Sequence, residues 1–145
     1  MQTIVVGVDG SAGSISGLRF AIEEAQTRGA EIKAVTAWHV PVEAFGSGIA
    51  PAPISISDFE EVGKTGLDWA MKQVAASAGG VKITPVLREG QATEVLVSEA
   101  KDADLLVVGS RGLGGFRGLL LGSVSQQCVQ HAPCPVVVVP HTKDA

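Results

Sequence analysis

Cations are scarce in this chain: 11 lysines and arginines stand against 15 acids, a formal net charge of −4 over 145 residues. No basic run, RNA-binding aromatic signature or zinc-finger spacing appears, which argues against a surface devoted to nucleic acid. Cysteine is rare too. Cys128 and Cys134 fit a reducing compartment and are expected to be free. No uninterrupted apolar stretch is long enough to span a bilayer. The opening MQTIVVGVDG lacks a basic n-region and meets Asp9 at once, so it reads as a buried strand and not as a signal peptide. These absences leave a cytoplasmic protein with no nucleic-acid or membrane partner as the expectation. Two phosphate-binding signatures are also missing. The lysine of the G-x4-G-K-[ST] loop does not occur, and no G-x-G-x-x-G follows the first strand, which leads into VDGSAGS.

What is present is apolar: 46% of residues are hydrophobic and 18% charged. That balance fits a compact chain, expected to form one domain over residues 1–145. Five β-type runs occur, at 3–8, 31–38, 82–88, 104–108 and 135–139. Runs such as LLVV and VVVV do not alternate with polar residues, so both faces of those strands are expected to be covered. Helical patterns lie between them. Ile15, Leu18, Ile22 and Ala25 form one stripe. Phe59, Val62, Gly66, Trp69 and Gln73 mark a second, opened by a capping-box pair, Ser57 and Glu60. A third helix runs from about 92 to 100, and a fourth shares Val124, Cys128 and Ala132 on one face and stops before Pro133. The alternation β-α-β-α-β-α-β-α-β predicts an α/β fold: a five-stranded parallel sheet, order 3-2-1-4-5, with helices on both faces.

In such a sheet, ligands sit beyond the carboxyl ends of the strands where the winding reverses, between strands one and four. Strand one ends at Val8-Asp9-Gly10-Ser11 and strand four at Gly109-Ser110-Arg111-Gly112, followed by a glycine-rich stretch to Gly122-Ser123. A strand, a glycine loop and a helix start in that order suit phosphate, because backbone N–H groups and the helix dipole converge on an anion. Asp9 has the chemistry to accept from ribose hydroxyls or hold a metal. Arg111 and Arg117 are the cations of the loop, each either a bidentate donor to phosphate or a solvated loop residue, with Arg111, between two of the glycines, favoured as the donor. Plainer roles stand beside these. Gly109 and Gly112 serve equally in a tight turn, Ser123 with Gln126 fits an S-x-x-Q cap, and Asp9 fits a helix cap or an Asx turn. Trp38 is placed either to stack on a ligand or to fill the core, and His39 to act as a base or to stand in solvent. The Pro- and Gly-bearing segment 39–55 is either a plain excursion or a flap near the site.

Two other constellations fail on inspection. C-x2-H-x2-C at Cys128, His131 and Cys134 lacks a fourth ligand and straddles a helix end, so no metal site is assigned. A phosphoacceptor receiver domain needs an aspartate after strand three and a lysine after strand five; here stand Leu87-Arg88-Glu89 and Val139-Pro140-His141.

Gly109-x2-Gly112-x9-Gly122-Ser123 resembles the G-x2-G-x9-G-[ST] motif of the ATP-binding universal stress proteins, and the resemblance covers essentially the whole chain. It takes in IVVGVDGS, the strand ending at Trp38, REGQATEVLVSEA, VVGSRG and CPVVVVP. It implies an adenine nucleotide alpha hydrolase-like sheet with ATP at the crevice. Asp9 would then lie by the ribose and phosphates, with Val8 and Gly10 flanking it and Ser11 completing that strand end. Ala37 would meet adenine through its backbone. Gly109, Arg111 and Gly112 would line the phosphate path, and Gly122, Ser123, Val124 and Ser125 would hold the terminal phosphates. The family also implies a homodimer through strand 135–139. The expected function is a nucleotide-dependent regulatory or stress-response module with no catalytic residue. Its alternatives are a slow ATPase or adenylyl-transfer enzyme using the same crevice, and a ligand-free scaffold. Whether magnesium accompanies the nucleotide, and which regulatory protein is the partner, the sequence leaves open.

Overall fold

The computed structural model describes residues 2–40, 55–110 and 122–140. Its strands are β1 (Thr3–Gly7), β2 (Glu31–Trp38), β3 (Ile83–Glu89), β4 (Leu105–Gly109) and β5 (Val136–Val139); its α-helices are α1 (Ala12–Arg28), α2 (Ile56–Val74), α3 (Ala92–Glu99) and α4 (Ser123–His131). The strands form one parallel sheet in the order β3-β2-β1-β4-β5, as the sequence pattern predicts.

The central strands are apolar on both faces because both faces are covered. Ile4, Val5, Val6, Leu106 and Val107 are 0% exposed. On one side they pack under Ile15, Leu18, Ile22 and Ala25 of α1 and Leu67, Ala70 and Val74 of α2. On the other they pack under Val95 and Leu96 of α3, Ala100 just beyond it, and Cys128 of α4. Each fully buried aliphatic side chain contributes roughly 1.5–3 kcal/mol of transfer free energy. Among the described residues strand β5 pairs with β4 alone, and its four valines are half-buried, so it stands as an edge. Among the described residues no helix is long and apolar enough to cross a membrane.

Helix α2 departs from expectation twice. It begins at Ser55, where the Asp58 carboxylate accepts from the Ser55 N–H at 3.1 Å; the overlapping Ser57 and Glu60 pair does not open it. Its buried line is Leu67, Ala70 and Val74, whereas Val62 is 73% and Trp69 40% exposed. The physical reason lies in two glycines. A Cβ on Gly66 would stand 3.5 Å from the Cα of Gly10, and one on Gly63 would stand 3.3 Å from the Cβ of Trp38. The helix descends onto the strand ends backbone first, and that approach sets its rotation. Segment 41–54, which carries most of the expected flap, lies outside the described residues.

Candidate functional site

Strand β1 leaves the sheet just before the expected ligand edge. Its pairing with β2 ends at Gly7 and Val35, although the Val8 N–H still donates to the Val35 carbonyl at 2.8 Å. Val8 is 3% exposed and packs in the α1 and α2 core, so its side chain faces away from the crevice. Gly10 turns the chain at φ +81°, a conformation L side chains rarely adopt. The Asp9 carboxylate accepts from the Ser11 N–H at 2.9 Å and from the Ser11 hydroxyl, which makes an Asx turn. Ser11 in turn caps α1, accepting from the Ser14 N–H at 3.2 Å, while the Ser14 hydroxyl donates to the Ser11 carbonyl at 2.8 Å. This junction caps its own helix with a side-chain oxygen.

The β4–α4 junction is built differently. The Ser110 N–H donates to the Val139 carbonyl at 2.9 Å, and the Gly122 N–H donates to the Ser110 carbonyl at 2.6 Å. Strand end and helix start are thereby pinned together. Gly122 is the N-cap of α4 and makes no side-chain cap, so the expected Ser123 and Gln126 cap is displaced by one residue. The first intrahelical bond is Gln126 N–H to Gly122 carbonyl, at 3.0 Å. The N–H groups of Ser123, Val124 and Ser125 therefore precede the intrahelical ladder. The Ser125 hydroxyl, in a residue 3% exposed, donates to the carbonyls of Ser110 at 3.2 Å and Gly122 at 3.0 Å. It braces the junction, and its peptide N–H belongs to the first turn of α4. Arg111, Gly112 and Arg117 lie outside the described residues.

A cleft of about 710 Å³ opens between α3 and α4. His39, following β2, stands at one end; Gln91, Ala92 and Thr93 at the start of α3 and Ser123 and Val124 at the start of α4 form its walls. Two helix N-termini thus open onto one space, which favours negative charge within it. Gly90 sets the α3 wall. Its N–H donates to the Trp38 carbonyl at 2.8 Å, and at φ +145° a Cβ there would lie 2.9 Å from Val95 Cγ2. Of the expected site residues, Ser123 and Val124 line this cleft; Asp9, Gly10, Ser11, Ala37 and Gly109 stand at the same sheet edge without being among its described lining residues. The α3 wall had no place in the expected site, although REGQATEVLVSEA, which builds it, carried part of the resemblance.

The two sides of β2 divide the remaining candidates. Ala37 packs with the cluster under α3 and α4, on the cleft side. Trp38 is half-buried against Gly63 of α2 on the opposite face, so it serves packing. His39 is exposed at the cleft mouth. Burial pushes the Cys128 thiol up to about 11, and burial, with the Asp104 carboxylate second, raises Cys134. Neither is a thiolate at neutral pH, which disfavours both as nucleophiles.

A family model for the universal stress proteins matches residues 1–140. The chain belongs to the universal stress protein family. A universal stress protein of Mycolicibacterium smegmatis is 36% identical over 136 residues, covering 94% of this chain and 45% of the relative. The chain spans about half the length of several curated universal stress proteins it matches. A crystal structure of a universal stress protein in complex with cAMP is 29% identical with a TM-score of 0.72, covering 97% of this chain and 98% of that one. The universal stress protein of Archaeoglobus fulgidus in complex with dAMP is 25% identical with a TM-score of 0.67, covering 96% and 98%.

Proposed function

We propose that this chain binds ATP at the carboxyl edge of the sheet and acts as a nucleotide-dependent regulatory module. The observation that carries this reading is the start of α4. Its first-turn N–H groups have no side-chain cap, and Ser123 and Val124 open onto the cleft. The residues present fit an adenine nucleotide. Amides of Ser123 and Val124 suit phosphate oxygens, with Gly122 leaving space for them. Asp9, fixed by Ser11, offers carboxylate oxygens to ribose hydroxyls. Ala37 supplies backbone groups for the base, on the strand that leads to His39 at the cleft mouth. The cAMP and dAMP bound by the two structural neighbours support an adenine nucleotide as the class; ATP itself is our choice, from the glycine spacing that ends at Gly122-Ser123.

Binding regulates only if the ligand favours one conformation over another; a hundredfold preference corresponds to about 2.7 kcal/mol. We also propose a homodimer through β5, whose single partner among the described residues leaves a row of backbone groups for a second copy. Titration of nucleotide-stripped protein with ATP by calorimetry, with and without magnesium, tests the reading. Saturable one-to-one binding is expected, and its absence in folded protein refutes it. Sedimentation of the same sample tests the dimer: a monomer at high concentration contradicts it.

A further inference from the structure

Thr36 is a polar side chain only 5% exposed, and it sits where β1 and β2 part. In a regular parallel ladder the Val8 peptide would make two bonds to β2: its N–H to the Val35 carbonyl, and its carbonyl to the Ala37 N–H. The first is present at 2.8 Å. The second is not a ladder bond, since the paired register ends at Gly7 and Val35. The Val8 carbonyl accepts instead from Thr36 Oγ1 at 2.8 Å. The hydroxyl comes from the residue just before the amide it replaces.

We propose that Thr36 is a positioning residue for ligand recognition: by occupying the Val8 carbonyl, its hydroxyl keeps the Ala37 N–H out of the sheet ladder and open to a ligand acceptor. This inference rests on the nucleotide reading above and adds a residue to it. The alternation of a strand supports the geometry. Val35 directs its peptide groups toward β1, so Ala37, two residues on, directs its own to the same side, past the last paired residue of β1. A ring nitrogen of adenine is an acceptor of the kind that amide fits. The same hydroxyl also fixes the point at which the chain turns off toward Asp9. Without it, a buried carbonyl would lack its donor, and the in-register replacement is the Ala37 amide. The ladder would lengthen by one step and draw that amide away from the ligand.

Thr36→Val keeps shape and strand preference while removing the hydroxyl, and Thr36→Ser restores it; Thr36→Ala replaces the valine variant should that fail to fold. Amide exchange on nucleotide-free protein gives a readout that general destabilisation cannot mimic. Exchange at Ala37 should slow in Thr36→Val and return to the wild-type rate in Thr36→Ser. ATP affinity should fall about tenfold in the first and recover in the second. Unchanged or faster exchange at Ala37 in a folded hydroxyl-free variant overturns the role of Thr36, whatever the affinity does. Slowed exchange together with unchanged ATP affinity overturns its part in recognition. Slowed exchange in a protein whose wild type binds no nucleotide supports the role of the hydroxyl in the ladder and refutes the nucleotide reading instead.

Discussion

Helices α1 and α4 both begin where a central strand leaves the sheet, yet Ser11 closes the first turn of α1 with its hydroxyl whereas Gly122 brings no side chain to α4. The first junction ties Asp9, Ser11 and Ser14 to one another. The second spends its side chain, Ser125, on two carbonyls, and its leading residues Ser123 and Val124 line the cleft without a side-chain cap. A helix N-terminus carries about half a positive charge whichever residue caps it. On the proposed reading, what separates the two helices is whether a side-chain oxygen already caps the first turn.

The largest effect should come from giving α4 what α1 has. Gly122 sits at φ −72° and ψ 168°, extended backbone that any residue adopts, so substitution there need not strain the chain. Gly122→Val should fill phosphate space and weaken ATP binding more than about a hundredfold, measured by calorimetry, with the helix retained by circular dichroism. Gly122→Asp sharpens the contrast. It supplies a side-chain cap worth a few tenths of a kcal/mol over glycine, so the melting temperature should hold or rise while ATP binding is lost. Retained affinity in either folded variant would break the distinction between the two junctions.

A second difference titrates. Helix α4 rests on Cys128, 0% exposed, whose thiol is pushed up to about 11 from 9.0. The neutral thiol is the form the folded state prefers, so its contribution is complete below pH 9 and is lost as pH rises toward 11. Unfolding free energy should fall by about 1.4 kcal/mol per pH unit across that window, and Cys128→Ala should flatten the slope in chemical denaturation. An unchanged slope would contradict the assignment.

Smaller effects separate the braces. Ser11→Ala removes the cap of α1 and should cost about 1 kcal/mol, read as a lower melting temperature. Ser125→Ala should cost a similar ~1 kcal/mol. It should also weaken ATP a few-fold, because the Ser110 and Gly122 carbonyls lose the hydroxyl that ties them. A Ser125→Ala protein with unaltered affinity would show that the brace serves folding alone.

The sheet was legible because its central strands are apolar on both faces: Ile4 to Val6 and Leu105 to Val108 have no polar alternation to suggest an exposed side. The α1 stripe was legible because its apolar residues recur at helical spacing, and each of the four is buried. Helix α2 was not, since two S-x-x-acid signals overlap from Ser55 to Glu60, and its wide apolar arc conceals that Gly63 and Gly66 choose the packed line. At the site, the strand ends and the start of α4 announced themselves through glycine and serine. The duties of the hydroxyls did not. Ser125 and Thr36 read as ordinary helix and strand residues until the carbonyls they reach are known. The α3 wall of the cleft depends on Gly90 meeting Trp38 across two strands, a contact that residue spacing does not encode.

Backbone amide spectra of isotopically labelled protein titrated with ATP test the contrast most directly. Saturable shifts should be largest at Ser123 and Val124, which line the cleft, and small at Ser14, whose N–H is held by Ser11. Shifts centred on residues 12–14, or no saturable shift at the start of α4, would contradict the account.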